Sequence, residues 1–423
     1  MYPNPHDAIA IPGAPALEAF EKHATDLITA SRSGAAGALR DWAARWTPHD
    51  TESIEQFARE TMTRDQPALP TAQRVVARLH GFASWAMLSM HLEGLADPTS
   101  LVAQFETAAD AIVNGDAATL QRLLGERPAL VRARSTREHG ATLLHYVAAN
   151  GVENDRQKTP PGIVSIAAML MDAGADVDAE AALYGGSCTT LGLAATSVHP
   201  EAAGVQQPLL QLLLNRGAAV DHPGGAGRDH GFVNACLANG RAAAAAFLAS
   251  RGAPVDLAGA AGTGRLDLVV QLLNEGGTAT SPPREQLHTA VGWACAYGHH
   301  AVVEFLLDRG VATRAAIRPD GQTCLHAAAF GGHADIVRLL LARGAPVDAI
   351  ERTYQGTPLN WALHGWRTRA GAARAKYYGV VALLVRAGAA IDPAWLDDRP
   401  EHTSFAREGR ADQKMLAALR GNG

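Results

Sequence analysis

The stretch GQTCLHAAAFGGHADIVRLLLARGA, residues 321–345, is the most complete copy of a unit that recurs through most of the chain. Its pattern predicts a tight turn, a short helix from Leu325 to Phe330, a break at Gly331-Gly332-His333, and a second, amphipathic helix that ends at Gly344. Neither helix can bury its apolar stripe alone, whereas stacked copies can bury a continuous core. The sequence therefore predicts stacked helical pairs.

Seven other segments align with this unit on the glycine-histidine break. The residues equivalent to Leu325 are Ala108, Leu144, Leu191, Val233, Leu257, Val291 and Leu359. The last three steps between copies are 34 residues each, and the earlier steps are irregular. The phrases GADVD, GAAVD, GAPVD and GAAID recur in phase with the copies, which cover roughly residues 101–392.

The extended copy GQTCLHAAAFGGHADIVRLLLARGAPVDA resembles an ankyrin repeat, with Cys324 in place of the proline of the usual T-P-L-H phrase. The resemblance implies an all-α fold: an α-solenoid of about eight degenerate ankyrin-like helix-turn-helix repeats with helical caps. It also implies that the chain binds a protein or peptide, as ankyrin proteins usually do. It says little about chemistry, because one fold serves many functions.

Three regions are expected. Residues 1–100 contain helical patterns and resemble the extension that precedes ankyrin repeats in some bacterial proteins. Residues 101–392 form the repeats, and residues 393–423 form a short C-terminal cap with a helix from Asp412 to Arg420. Terminal caps with a polar outer face are what a solenoid needs for solubility.

Composition excludes several classes of function. The formal net charge is −5 with 19% charged residues, which argues against nucleic acid as a partner because phosphates require a basic stripe. No apolar segment is long enough to span a bilayer, and the first residues do not resemble a secretory signal. The 4 cysteines contain no C-x-x-C pair, so a reduced, cytoplasmic setting is expected. The excess of arginine over lysine and the abundance of alanine suggest a bacterial origin.

Insertions mark where the repeat is irregular. They cover residues 152–162, 199–208 and 367–376, and the short step from Val233 to Leu257 leaves no room for a projecting finger. The turns at 183–189 and 221–230 are also unusual. Loops that depart from an economical repeat are where function is usually placed.

Aromatic residues are enriched at three positions of the inner helices that are expected to face a concave groove. The predicted ligand-binding residues there are Tyr146, Asn150, Trp293, Tyr297, Phe330, Trp361 and His364. Small residues such as Gly259 and Gly262 would form the floor. One interpretation is a groove for a peptide or a small organic ligand. In the other, these rings pack against neighbouring helices or inserted loops.

Polar side chains in repeats two to five suggest an alternative site. The catalytic candidates are His145, Tyr184, Asp229 and His230, and His199 and His222 are further ligand-binding candidates. Imidazole and carboxylate groups suit acid–base work. Their spacing matches no established metal motif, so no metal site and no cofactor are expected. His145 also has a structural interpretation, because it occupies the histidine position of the T-P-L-H phrase.

Two functional hypotheses follow. The first is a recognition scaffold that binds a protein or peptide in a concave aromatic groove. The second is a small-molecule-binding protein or atypical enzyme that uses the histidine, tyrosine and aspartate residues of repeats two to five. No G-x-S-x-G, H-E-x-x-H or P-loop is present, and the glycines of 259–264 follow from the repeat register and not from a dinucleotide-binding motif.

Overall fold

The computed structural model describes residues 8–11, 16–45, 51–64, 68–222, 231–275, 283–392, 408 and 411–422. The chain divides into two compact units, Met1–Pro254 and Val255–Gly423. The described parts of both units are mainly helical, which confirms the predicted all-α fold class. Among the described residues of the first unit, a short β-hairpin and three 3₁₀ segments depart from regular α-helical pairs.

The first unit begins with five helices that share one apolar core. They are α1 (Leu17–Arg32), α2 (Ala38–Ala44), α3 (Thr51–Arg64), α4 (Leu69–Leu79) and α5 (Trp85–Ala96). Phe20, Trp42 and Phe82 are among the core side chains. Gly81 adopts a left-handed conformation after α4, and the Ser84 hydroxyl accepts a hydrogen bond from Met87 N at the start of α5. These two devices end α4 and start α5 within a few residues, which produces a helix-turn-helix.

The segments of the first unit that were expected to form repeats follow. Their helices are α6 (Leu101–Asn114), α7 (Ala117–Glu126), α8 (Ile163–Asp172), α9 (Thr190–Thr196), α10 (Val198–Ala202), α11 (Gln206–Asn215), α12 (Phe232–Ala238) and α13 (Ala242–Ser250). The second repeat has a 3₁₀ segment, Leu143–Ala148, where an inner helix was expected. Ala149 then adopts a left-handed φ of 48°, so the segment ends before a regular α-helix can form. The other 3₁₀ segments are Pro128–Arg132 and Asn154–Arg156.

The finger before α9 is an antiparallel hairpin of β1 (Glu180–Leu183) and β2 (Gly186–Thr189). Leu183 pairs with Gly186, so Tyr184 and Gly185 form a two-residue turn. Both have positive φ, 52° and 75°, as a type I′ hairpin turn requires.

The second unit contains the regular repeats. Its helices are α14 (Leu257–Gly262), α15 (Leu266–Glu275), α16 (Arg284–Tyr297), α17 (His300–Asp308), α18 (Cys324–Gly331), α19 (Ala334–Ala342), α20 (Pro358–Thr368), α21 (Gly371–Arg386) and α22 (Gln413–Leu419). The even-numbered helices from α14 to α20 contact one another in succession and form an inner row, and α15, α17, α19 and α21 form an outer row. The core between the rows includes Val291, Leu325, Leu340 and Trp366.

One contact repeats along the inner row of the second unit. The ring Nε2 of His299 lies 3.0 Å from the Gly262 carbonyl oxygen, and that of His333 lies 3.0 Å from the Ala296 carbonyl oxygen. Each histidine therefore binds a carbonyl that the end of the preceding inner helix leaves without a helical partner.

Insertion 367–376 interrupts this series, because α20 extends into it and α21 begins within it. Beyond the insertion, Tyr377 takes the place of the histidine and donates from its hydroxyl to the Phe330 carbonyl oxygen at 2.7 Å. The stacking register of the repeats is thereby kept across the insertion.

In the part of the chain that the structure describes, no helix has both the length and the apolar character to cross a bilayer.

Candidate functional site

The second unit carries an aromatic surface, defined here as Trp293, Tyr297, Phe330, Tyr354, Trp361 and His364. On α16, the rings of Trp293 and Tyr297 are stacked with their centroids 5.9 Å apart. They lie one helical turn apart, so both point to the same side of the helix. Both rings are half-buried, which leaves part of each in contact with solvent.

A second group of rings lies on α18 and α20. The Trp361 ring contacts the edge of Phe330 at 5.5 Å, and Phe330 stacks on His364 at 6.0 Å with an interplanar angle of 17°. Aromatic pairs in such geometries gain about 0.5–1.5 kcal/mol beyond their area burial. The structure thus brings together three of the predicted ligand-binding residues, on helices that neighbour each other in the inner row.

The finger before α20 adds Tyr354, which was not among the predicted residues. Its ring lies 6.3 Å from Trp361, and the residue is 77% exposed. Tyr354 belongs to a finger and not to an inner helix, so the periodic pattern of the inner helices does not identify it.

Glu351 shapes this finger. Its side chain is buried, and the carboxylate accepts hydrogen bonds from the backbone N–H groups of Thr353 at 2.7 Å, Tyr354 at 3.0 Å and Gly356 at 2.9 Å. Burial raises the pKa of Glu351, but these N–H groups outweigh burial and lower it below its usual value. The ionised carboxylate therefore organises the loop that presents Tyr354.

The predicted polar residues of the first unit meet in part at the β-hairpin. The Tyr184 hydroxyl donates to Asn150 Oδ1 at 2.6 Å, and Asn150 Nδ2 donates to the Leu193 carbonyl at 3.2 Å and to Thr196 Oγ1 at 3.1 Å. Tyr184 is 39% exposed. An exposed phenol is thus fixed by an amide that is itself held by α9.

His145 lies beneath this hairpin and is fully buried. Its Nδ1 accepts from Thr142 N at 3.1 Å and contacts Thr142 Oγ1 at 2.8 Å, while Nε2 lies 3.3 Å from the Cys188 carbonyl oxygen. His326 makes the equivalent contacts with Thr323 and the Gly356 carbonyl. Burial lowers the pKa of His145 to about 4, so the ring is neutral at pH 7 and occupies the capping position that His326 occupies in the regular repeat.

The remaining polar candidates are dispersed. His222 Nε2 lies 3.7 Å from Glu180 Oε1 on β1. His199 is half-buried on α10, and burial lowers its pKa. Asp229 and His230 lie outside the described residues. Cys188 on β2 is buried, which raises the pKa of its thiol to about 11 and makes it a poor nucleophile at neutral pH.

Tyr146 was expected in the concave groove, but it is completely buried. Insertion 152–162 covers it: the Tyr146 hydroxyl donates to Glu153 Oε1 at 3.4 Å, and the Arg156 guanidinium lies 5.8 Å from the centre of the ring. The insertion therefore supplies a lid over a position that faces outward in a regular repeat.

Sequence reasoning also missed a buried charge network around Tyr146. Arg137 bonds to Glu106 Oε1 at 2.8 Å and to Glu153 Oε1 at 2.9 Å, and Arg156 bonds to Glu106 Oε2 at 2.6 Å. His139 Nε2 completes it, 3.2 Å from Glu153 Oε1. Each of these side chains is less than one-tenth exposed. Burial raises the pKa of both carboxylates, but the two guanidinium groups outweigh it and hold each pKa below its usual value.

The network joins α6, the finger at 134–142 and insertion 152–162. Buried ion pairs offset their own desolvation only when geometry is good, and here each guanidinium contacts both carboxylates. The sequence feature that could have indicated this network is the pair of opposite charges, Glu153 and Arg156, inside an insertion. Within the described ranges, no group of three or more histidine, cysteine, aspartate or glutamate side chains is arranged to hold a metal ion.

The family model described as ankyrin repeats (3 copies) matches residues 257–351 and 316–394. These matches cover the regular repeats of the second unit, including the aromatic surface. No curated protein matches the chain.

Proposed function

We propose that this ankyrin repeat protein is a recognition scaffold that binds a segment of a partner protein on the aromatic surface of its second unit. Ankyrin repeats generally serve as protein-interaction scaffolds. The observation that carries the finer proposal is the group of partly exposed rings on α16, α18 and α20. Tryptophan and tyrosine dominate the energetic centres of protein interfaces because they bury a large area at little cost in conformational entropy.

Substitution of the two tryptophans tests the proposal. A partner captured by the full chain would be purified, and its affinity measured for the wild type and for Trp293→Ala with Trp361→Ala. We expect the double substitution to weaken binding by about a hundredfold, since each anchor of an interface contributes on the order of 1–2 kcal/mol or more. Unchanged affinity in a folded variant would refute the proposal.

Phe305→Ala is the matched control. Phe305 is a half-buried aromatic residue on α17, in the outer row, and the Arg309 guanidinium lies 4.4 Å from its ring centre. Its removal also deletes a ring from the second unit but leaves the aromatic surface intact. We expect it to leave partner affinity within about twofold.

A second candidate function is small-molecule binding at the hairpin of the first unit. It is favoured by Tyr184, whose exposed phenol donates a hydrogen bond to Asn150. The backbone of Tyr184 has a left-handed conformation, which residues other than glycine and asparagine rarely adopt. A thermal-shift screen against metabolites tests it, because the stabilisation by a ligand grows with the logarithm of the ratio of its concentration to its Kd. A hit that retains its shift in Tyr184→Phe and Asn150→Ala would count against this site.

A further inference from the structure

We infer that the aromatic surface selects an acidic, extended segment of its partner that carries an apolar anchor side chain. The inference rests on the proposed recognition function and adds the chemistry of the occupant. Three features of the second unit support it. The rings lie on successive helices, exposed arginine side chains border them, and the carboxylates of the same fingers accept hydrogen bonds from backbone N–H groups.

The rings lie on three successive inner helices. Trp293, Phe330 and Trp361 belong to α16, α18 and α20, each of which contacts the next. Packed helices are about 8–10 Å apart, so the row spans about 20 Å. An extended chain crosses that distance in about six residues. A short linear segment that runs across the helices therefore matches the surface, with its apolar side chain on the rings.

Arginine side chains border the rings. Arg318 is exposed in the finger before α18, and its guanidinium lies 5.3 Å from the centre of the Trp293 ring. Arg352 is exposed in the next finger, where its guanidinium donates to the Pro319 carbonyl and its backbone N–H donates to the Asp320 carbonyl at 2.7 Å. These bonds join the two fingers, so both cations are presented from a connected edge.

The carboxylates of the same two fingers are engaged by backbone N–H groups. Asp320 Oδ1 accepts from Gln322 N at 2.9 Å, Asp348 accepts from Ala390 N at 3.0 Å, and the Glu351 carboxylate is buried among three N–H groups. The formal charges of the fingers nearly cancel, but the Glu351 carboxylate is buried and that of Asp320 is half-buried, whereas Arg318 and Arg352 are exposed beside the rings. The exposed guanidinium groups retain donors for a carboxylate of the partner, and a guanidinium suits that geometry well.

Selection of random linear peptides displayed on phage, with the intact protein as target, tests the inference. We expect the enriched peptides to be rich in aspartate and glutamate around one aromatic or aliphatic residue. For one such synthetic peptide, Arg318→Glu should weaken binding about three- to tenfold, whereas Arg318→Lys should keep most of it. Raising the ionic strength should weaken binding to the wild type, because exposed charges are screened.

Arg338→Glu is the matched control, because Arg338 is exposed on α19 in the outer row. It changes the net charge equally and should leave peptide affinity unchanged. Neutral or basic enriched peptides that still require Trp293 and Trp361 would overturn the acidic preference and leave the recognition function standing. Peptides that bind the double tryptophan variant as tightly as the wild type, or a selection without enrichment, would overturn both.

Discussion

The hydroxyl of Tyr377 donates a hydrogen bond to the carbonyl oxygen of Phe330 at 2.7 Å. Two repeats earlier and one repeat earlier, His299 and His333 make the corresponding contact. The same backbone position is thus bound by different side chains, because the residue 34 positions after His333 is Arg367, at the start of the insertion. The contact therefore keeps the repeats stacked although the insertion interrupts the sequence pattern.

Replacing Tyr377 by phenylalanine should remove this bond and leave the carbonyl of Phe330 unpaired. We expect the free energy of unfolding to fall by about 1 kcal/mol, as measured by urea denaturation. Tyr354→Phe is the control, since that residue is 77% exposed and its stability effect should be within ~0.5 kcal/mol. Equal effects of the two substitutions would show that the bond contributes nothing.

Gly365 should resist enlargement because Tyr377 packs against it. A Cβ at Gly365 would lie 2.5 Å from Tyr377 Cε1 and 2.8 Å from the Phe330 carbonyl oxygen. We expect Gly365→Ala to destabilise the protein by about 1–3 kcal/mol. Gly379→Ala should instead stabilise it by about 0.5–1 kcal/mol, because Gly379 is inside α21 and its Cβ would meet Ala334 only at 4.0 Å. Thermal denaturation of both variants checks the opposite signs.

The buried charge network should be sensitive to the loss of one carboxylate. Glu106→Gln would remove one of the two buried carboxylates that Arg137 and Arg156 share and leave Glu153 to balance both guanidinium groups, and we expect a loss of about 3–5 kcal/mol. Asp110 also pairs with Arg156, at 2.8 Å, but its side chain is 56% exposed. Asp110→Asn should therefore cost less than about 1 kcal/mol. If urea denaturation gave similar values for the two variants, burial would not govern the strength of this network.

Because three histidines are buried, we expect the free energy of unfolding to fall in mild acid. Burial lowers the pKa of His80, His91 and His145 to about 4. The unfolded chain binds these protons near pH 6.5 and the folded chain does not, so stability is fully present above pH 6.5 and is lost as the pH falls towards 4. Each histidine contributes on the order of 1–3 kcal/mol across this window.

Urea denaturation at several pH values would measure this slope. His91→Gln should reduce the slope. Thr136→Ala removes the partner of His91 Nδ1, at 2.7 Å, and should lower stability by a similar amount at every pH without changing the slope. A stability that stays constant from pH 7 to 4.5 would contradict the prediction.

Two substitutions of Tyr184 test whether the tyrosine is present because it stabilises the turn. Tyr184→Phe loses the hydrogen bond to Asn150 and should cost about 1 kcal/mol. Tyr184→Asn loses the same bond, but asparagine tolerates the left-handed conformation and suits a type I′ turn. We therefore expect Tyr184→Asn to be the more stable of the two by about 0.5–1 kcal/mol. Such an order, measured by thermal denaturation, would mean that the tyrosine is not the residue that best stabilises the turn.

The regular repeats were predictable because their spacing is constant. Once Leu325 fixed the register, Trp293, Phe330 and Trp361 were assigned to corresponding sides of successive helices, and the structure brings Phe330 into contact with Trp361. A constant period makes sequence position a sufficient guide to spatial neighbourhood in a solenoid.

The register gave no such guidance where insertions intervene. Tyr146 is in phase with Trp293, yet the path of insertion 152–162 buries it. The Glu106 side chain bonds with residues 31 and 50 positions away, and no periodic pattern predicts those pairs. Ala149 ends the 3₁₀ segment in a left-handed conformation, and an alanine gives no sequence signal for that conformation.

The bond from Tyr377 to Phe330 should also allow an inserted sequence between α20 and α21. Arg369 and Ala370 join α20 to α21 and are exposed, and the free energy needed to close a loop grows slowly with its length. An epitope tag or a fluorescent reporter spliced between them would begin and end outside the stack, while Tyr377 holds the next helix in phase. The bond that keeps the repeats stacked across the natural insertion thus makes this loop a suitable site for engineered insertions.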